Sequence, residues 1–395
     1  MMKLSEAYIT HVHVQGFRSI QDVTVKLDDL TVLVGPNGSG KSVFLDTLSF
    51  LHDVLTSSPA DAFKSRGGMD EVRSRIGASN QQLIIEVGLR SRQEAGFAGH
   101  YRLRLRPRPT LHAFTVEEEA CEVFTGAERQ RHSFVLKRGK IWTESTEKLR
   151  PELAWNRLAL PLMSSLAPFA SVYRALTAMY FYRVNTEAVA AYGEPEEGRR
   201  LAPNGGNTAA VLRRLRATDE PLYGKVINWL HLIVPTVHNV TTKTRSNLWT
   251  LVFEEEQAAD QKPVIFEARS MSEGTLRVLA VLLAVYQEDP PTLIGLEEPE
   301  TAIHPGAAEV LVDLLSEAAL RSQILVTTHS RDLIDYFDVS TLRAVGRQDG
   351  YSVITPVNAT QLAVIHDGLF NAGELHRIEG LQPEAKEAEV AYASA

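Results

Sequence analysis

Apolar and polar residues alternate from Ile9 to Val14 and again from Val23 to Leu27, and Gly16-Phe17-Arg18-Ser19-Ile20 between them carries turn chemistry. This predicts a β-hairpin at the start of the chain. Leu30 to Val34 is a short continuous apolar run, the pattern of a strand buried on both faces. After a glycine-rich gap, Phe44, Leu48, Leu51 and Leu55 recur at helical spacing. Alternation then returns in short pieces at 83–89, 100–106, 111–117, 121–124, 132–136 and 139–142, which read as strands separated by turn residues. Several antiparallel strands so soon after that helix do not suit a simple doubly wound domain and predict an antiparallel lobe. Residues 152–191 change character, with Leu158, Leu162, Leu166 and Phe169 spaced for one helical face. A boundary rich in Gly, Pro and charge runs from Tyr192 to Asn207. Helical patterns follow at Thr208 to Arg216 and Leu222 to Ile233, and strand patterns at Val237 to Thr241 and Leu248 to Glu254. The longest apolar run, Val278 to Tyr286, fits a buried helix and falls short of a membrane span. No repeat, low-complexity tract or sustained heptad is visible, which argues against a long coiled coil. The Ala- and Glu-rich stretch from about Glu374 reads as a solvated helix or frayed tail.

The glycine-rich gap carries the first chemistry. Gly35-Pro36-Asn37-Gly38-Ser39-Gly40-Lys41-Ser42 fits G-x-x-x-x-G-K-[ST], a phosphate-binding loop, with a buried strand before it and a helix after it. Glycines there let backbone N–H groups close around phosphate oxygens, and the helix N-terminus adds favourable partial charge. Lys41 would reach the β- and γ-phosphates of a nucleoside triphosphate, and the Ser42 hydroxyl would ligate Mg²⁺. A chance match in a chain of this length has odds on the order of one per cent before that context is counted.

Three later motifs bear on the same site. Residues 292–305 read Thr-Leu-Ile-Gly-Leu-Glu-Glu-Pro-Glu-Thr-Ala-Ile-His-Pro, a short apolar strand ending in two carboxylates. Opposite a phosphate loop, Glu297 suits the metal shell and Glu298 the attacking water. An acidic loop after a buried strand is the plainer reading. Ser270-Met271-Ser272-Glu273-Gly274-Thr275 leads into the apolar run, so Ser272 and Gly274 sit at a helix N-terminus, where Ser272 is either an anion contact or simply a cap. Ile324 to Thr328 is a strand ending at His329, and a lone histidine there is more often structural than catalytic. All four motifs in one order are far more specific than any one of them.

In that order the chain resembles an ABC-type ATPase head of the SMC/RecF kind, related to OLD-family and bacterial anti-phage ATPases. The resemblance is close over residues 9–55 and 200–335 and holds in outline between them. It implies an α/β P-loop NTPase fold, an ABC-ATPase head with an antiparallel β lobe and a helical insertion. The expected division is an N-terminal ATPase lobe at 1–150, a mainly helical insertion at 151–255, a C-terminal ATPase lobe at 256–360 and a helix or tail at 361–395. Phe17-Arg18-Ser19 resembles a motif whose arginine approaches the nucleotide. Ser272-Glu273-Gly274-Thr275 resembles the signature, Glu297-Glu298-Pro299-Glu300 Walker B with its catalytic glutamate, Thr301 to His304 the D-loop and His329 the switch histidine. Many relatives have aspartate where this chain has Glu297, and the Q-loop glutamine has three candidates, Gln81, Gln82 and Gln130. The resemblance implies that ATP with Mg²⁺ is held between two heads, each signature facing the other's loop, and that hydrolysis releases the pair.

Composition narrows the partners. A net charge of −8 argues against coating nucleic acid through overall charge. Cys121, the single cysteine, excludes an intramolecular disulfide and a thiolate metal cluster. With no signal-like stretch at Met1 to Thr10 the expectation is cytoplasmic, with no membrane partner. Arg102, Arg104 and Arg106 share one strand face, which could meet DNA phosphates or be a solvated face opposite local glutamates. The expected partners are a second head, with a higher oligomer possible, and a separate effector or DNA-processing protein in DNA maintenance or anti-phage defence. A transporter ATPase subunit and a nucleotide-dependent sensor or scaffold for a separate toxin or nuclease are the alternatives. The chain as nuclease is disfavoured, since no metal-ligand motif lies beyond the nucleotide site.

Overall fold

The computed structural model describes residues 4–74, 82–93, 96–108, 113–143, 152–255 and 263–384. The opening alternation forms β1 (Ala7–Phe17) and β2 (Ile20–Lys26), joined by a two-residue turn in which Arg18 takes a left-handed φ of 46°. β3 (Leu30–Val34) is buried throughout and delivers the glycine-rich loop to α1 (Lys41–Thr56). Two short helices, α2 (Pro59–Lys64) and α3 (Met69–Val72), precede a run of strands. These are β4 (Leu83–Ser91), β5 (Phe97–Arg108), β6 (Ala113–Thr125), β7 (Gln130–Lys137) and β8 (Lys140–Thr143). With the hairpin they make an antiparallel sheet in the order β2-β1-β4-β5-β6-β7-β8.

The pieces expected at 111–117 and 121–124 are one strand, β6, apart from residues 111 and 112, which lie outside the described residues. A bulge explains the misreading. Arg104 pairs with Glu118 but Leu105 pairs with Val116, so Glu117 is an extra residue. Phe114 and Val116 face the core before it, and Glu119, Cys121 and Val123 after it. The shift of phase by one erases the alternation and turns Glu119 inward.

Glu119 is fully buried, and its carboxylate accepts hydrogen bonds from the Tyr101 hydroxyl at 2.9 Å, the Leu160 N–H at 2.9 Å and the Ala159 N–H. Burial outweighs these donors and pushes its pKa up to about 7. The folded protein therefore holds this proton more tightly than the unfolded chain does. Stability from this group is full below the unfolded value and declines as the pH rises toward 7. We expect urea unfolding between about pH 5 and pH 7.5 to lose on the order of 3 kcal/mol on this account. Glu119→Gln should remove most of that slope.

Residues 152–191 are helical in separate pieces. Pro161 and Pro168 sit in the first turns of two separate helices, α4 (Leu160–Met163) and α5 (Ala167–Thr177), because proline starts a helix but interrupts one in progress. β9 (Met179–Tyr182) and α6 (Thr186–Ala190) follow, then α7 (Thr208–Thr218), α8 (Glu220–Ile233) and a small sheet of β10 (Val237–Arg245), β11 (Leu248–Glu255) and β12 (Val264–Glu267). The apolar run becomes α9 (Glu273–Val285), buried on every side from Val278 onward. The chain continues through β13 (Leu293–Glu297), α10 (Ala308–Ala319), β14 (Gln323–Thr328), α11 (Arg331–Ile334), β15 (Leu342–Gln348) and β16 (Tyr351–Pro356). It ends on α12 (Ala359–His366) and α13 (Ala372–Ile378).

A second sheet, ordered β16-β15-β3-β14-β13-β9, separates two cores. All its pairings are parallel except β15 with β16. Successive side chains of a strand point to opposite faces. Val32 and Val34 accordingly join the core containing α7 to α10, while Leu33 joins the core containing α1, α5 and the antiparallel sheet. β9 completes the central sheet, α4 and α5 pack into the N-terminal core, and α6 to α8 with β10 and β11 pack around α9. After Glu374 the chain stays packed as far as residue 384. Leu375 and Leu381 are buried, and Pro383 bridges back to Val357. Residues 385–395 of that stretch lie outside the described residues.

Candidate nucleotide site

Four parallel strands end at one edge of the central sheet, and their registers decide what meets there. Val34 pairs with Thr328, Thr327 with Glu297 and Leu296 with Tyr182. The phosphate loop, Glu297-Glu298, His329 and Arg183 therefore emerge side by side although up to 300 residues separate them in sequence.

Gly38 and Gly40 hold left-handed backbone, with φ of 77° and 117°. A Cβ on Gly40 would lie 2.1 Å from the Ser352 hydroxyl, and one on Gly35 would lie 2.1 Å from the Val345 carbonyl oxygen. No side chain caps α1, which leaves its first-turn N–H groups for an anion. The Ser39 hydroxyl is buried without a hydrogen-bond partner in the same loop. Lys41 folds its ammonium across the loop, donating to the Gly35 and Pro36 carbonyls at 2.7 and 3.0 Å. Burial lowers its pKa, opposed by Glu298, Glu300 and Glu297. From β15, Arg347 donates through Nε to the Gly38 carbonyl at 3.0 Å. This cradle fits a chain of phosphates.

The Ser42 hydroxyl donates to one oxygen of Glu297. Two hard oxygen donors in contact beside a phosphate cradle suit Mg²⁺, and the longer glutamate reaches the serine directly. Glu298 takes a left-handed φ of 46°, a strained conformation for a non-glycine residue, and its N–H donates to the Thr327 carbonyl at 3.0 Å. Its carboxylate lies 3.0 Å from His329 Nδ1. Thr328 donates to Glu300, whose pKa burial raises. Arg18 is tied to α1 by a 2.9 Å pair with Asp46, one turn beyond Ser42, and Arg66 holds the other Asp46 oxygen at 2.8 Å.

The signature residues form a separate group. Ser272 is exposed and caps α9, accepting from the Thr275 N–H at 3.1 Å. The Thr275 side chain is buried, and its hydroxyl lies 2.8 Å from that of Ser272. A Cβ on Gly274 would lie 2.4 Å from the Ala302 carbonyl oxygen, so glycine is what lets the D-loop segment lie against α9. Among the described residues no hydrogen bond or ion pair joins 272–275 to the phosphate loop of the same chain.

Neither Gln82 nor Gln130 reaches the site. Gln82 donates to Glu117 at 2.5 Å in the antiparallel lobe, Gln130 begins β7 opposite Thr125, and Gln81 lies outside the described residues. The arginine strand is largely charge-matched. Arg102 pairs with Glu86 at 2.7 Å and Glu118 at 3.6 Å, Arg106 pairs with Glu117 at 2.5 Å, and Arg104 lies opposite Glu118 in register. Sequence reasoning missed Arg183 and Arg347, because nothing near them in the chain marks them and only strand register brings them to the loop, and it gave Thr328, next to His329, no role of its own.

Comparison with known proteins places this geometry. A family model described as "AAA ATPase domain" matches residues 8–91, and one described as "AAA domain, putative AbiEii toxin, Type IV TA system" matches residues 237–335. The phosphate import ATP-binding protein PstB 3 of two Streptococcus pneumoniae strains, TIGR4 and R6, is 30% identical over 77 residues, 17% of this chain. The chain spans 31% of the length of those curated relatives. A solved SMC head bound to the C-winged helix domain of ScpA superposes over 90% of this chain and 99% of its own, with a TM-score of 0.56 and 14% identity. The fold is that of an ABC-type ATPase head of the SMC kind. Among the described residues no helix is long and apolar enough to cross a membrane.

Proposed function

We propose that this chain is an ATP-hydrolysing head that binds ATP with Mg²⁺ and pairs with a second copy around the nucleotide. The observation that carries this reading is Glu298, held in strained backbone against His329 at the sheet edge that also presents Ser42 and Glu297. Lys41 and the first-turn N–H groups of α1 hold the phosphates, and Ser42 and Glu297 hold the metal, whose charge offsets that of the phosphates. Glu298 orients the attacking water and takes its proton, and His329 orients Glu298. Gly35 to Gly40 line the phosphates with backbone, and Arg18 flanks the nucleotide from the hairpin turn. Ser272 and Gly274, exposed or half-buried at the start of α9 and unconnected to their own loop, are suited to complete the site of a second head.

The head would act in the cytoplasm and gate a separate partner protein. That partner would serve anti-phage defence or DNA maintenance, and the 237–335 match, described as a putative AbiEii toxin of a Type IV TA system, supports a toxin as the alternative partner. The similar SMC head, solved with a winged-helix domain bound, supports a protein partner on the head itself. A transporter role has less support, because the likeness to PstB 3 is confined to 77 residues.

Mixing subunits tests the pairing. Lys41→Ala lacks the phosphate clamp, and Ser272→Arg puts bulk at the start of α9, so each should be inactive alone. In a mixed dimer one site combines the intact loop of one chain with the intact signature of the other. The second site carries both lesions. We expect activity to return to at most about half the parental rate per dimer. A mixture that stays dead after confirmed subunit exchange would count against composite sites, or require both sites to fire together. Nucleotide-dependent dimerisation of Glu298→Gln, read by light scattering, separates those two outcomes.

A further inference from the structure

β9 and β13 run in parallel with Tyr182 opposite Leu296, so the next residue of each, Arg183 and Glu297, lies at the same end of the sheet. Arg183 Nε lies 3.6 Å from one oxygen of Glu297, and Ser42 donates to the other. The backbone at this point is anchored. The Arg183 N–H donates to the Pro203 carbonyl at 2.9 Å, that of Asn185 to the Asn204 carbonyl at 3.0 Å, and Arg277 Nη1 to the Val184 carbonyl at 3.1 Å. Ser42, Asp46, Arg183 and Glu297 border a cavity of about 170 Å³. At about 30 Å³ for each water, that space suits an ion that retains part of its hydration shell.

The charges around the cavity are shared out. Asp46 has Arg18 and Arg66, Glu298 has His329, and the Lys41 ammonium is bonded to loop carbonyls. Among the described residues Arg183 is the cation within ion-pair distance of Glu297, whose field also acts on the Lys41 ammonium. The Arg183 side chain is 84% exposed, so it is free to swing away and its interaction is screened by solvent.

We infer that Arg183 is a positioning residue that competes with the divalent cation for Glu297, neutralising that carboxylate until metal arrives with nucleotide and then yielding it. This rests on the reading that Ser42 and Glu297 hold Mg²⁺. A guanidinium and a divalent ion attracted to one carboxylate repel each other, and the repulsion at an exposed position is modest and weakened by salt. Arg183 thus sets the magnesium concentration at which the nucleotide is clamped. It also keeps the carboxylates at the strand ends from repelling one another in the empty head.

The test is a Mg²⁺ titration of the full chain, with binding of a non-hydrolysable fluorescent ATP analogue as the readout. Arg183→Gln should lower the Mg²⁺ midpoint about threefold and the charge reversal Arg183→Glu about tenfold, with both shifts shrinking at high salt. Arg183→Lys, which keeps the charge, should stay near the parent. Unchanged midpoints in the Gln and Glu variants would overturn the inference. So would raised ones, which would put Arg183 on the nucleotide itself. Glu297→Gln in the same titration keeps the two readings apart, since it should raise the midpoint. If it does not, Glu297 is no metal ligand and the underlying assignment fails along with the role given to Arg183. Thermal melts matching the parent's ensure that each shift reports the site and not the fold.

Discussion

Glu298→Gln should bind ATP as tightly as the parent and hydrolyse it roughly a hundred to ten thousand times more slowly, the range that a positioned general base contributes. Glutamine has the same shape and can still meet His329, so the strained turn and the phosphate loop should survive. What it lacks is the negative charge that orients water and takes its proton. Glu298 suits that task because its backbone is held in the left-handed region by the Thr327 carbonyl, which directs the carboxylate to His329 and away from the Ser42–Glu297 contact. Single-turnover hydrolysis beside equilibrium nucleotide binding separates the two effects. Parental turnover in the variant would remove Glu298 from the catalytic role and leave Glu300, half-buried and bonded to Thr328, as the other carboxylate of the strand end.

Lys41→Ala should fail one step earlier. The ammonium bonds the Gly35 and Pro36 carbonyls in the empty loop and is the charge able to turn toward β- and γ-phosphates. Charge-assisted hydrogen bonds of this kind contribute about 1.5–3 kcal/mol each, so losing two should weaken nucleotide binding on the order of a hundredfold or more. A ligand that binds the folded state raises its melting temperature. Excess ATP with Mg²⁺ should therefore stabilise the parent and Glu298→Gln but leave Lys41→Ala nearly unmoved. A parental thermal shift in Lys41→Ala would mean that the backbone cradle and the α1 N-terminus carry the phosphates almost unaided.

Local chemistry was legible in the sequence wherever a few neighbouring residues must act together. The phosphate loop needs its glycines within eight residues, and Ser272 caps α9 through a contact three residues away. Adjacent carboxylates at the end of an apolar strand and a histidine at the end of another could be named for the same reason. The hairpin and the buried α9 followed from periodicity. Prolines at 161 and 168 stand in the same stretch of sequence as the spaced Leu158, Leu162, Leu166 and Phe169, and each proline starts its own helix.

Other features depended on partners far along the chain. The bulge at Glu117 exists only against β5, and without it Glu119 would not face Tyr101 and the start of α4. The arginines of β5 carry charge toward solvent in the sequence but meet Glu86, Glu117 and Glu118 across strand pairs. Thr275 stands in a polar stretch of sequence and is buried in the first turn of α9. Arg183 is one of many arginines, 114 positions from Glu297, and the parallel register of β9 with β13 is what sets its guanidinium against that carboxylate. A strand's own residues determine its alternation and its burial. Which strand lies beside it, and in what register, is decided by packing both cores at once, and contacts at that sequence separation leave no local pattern to read.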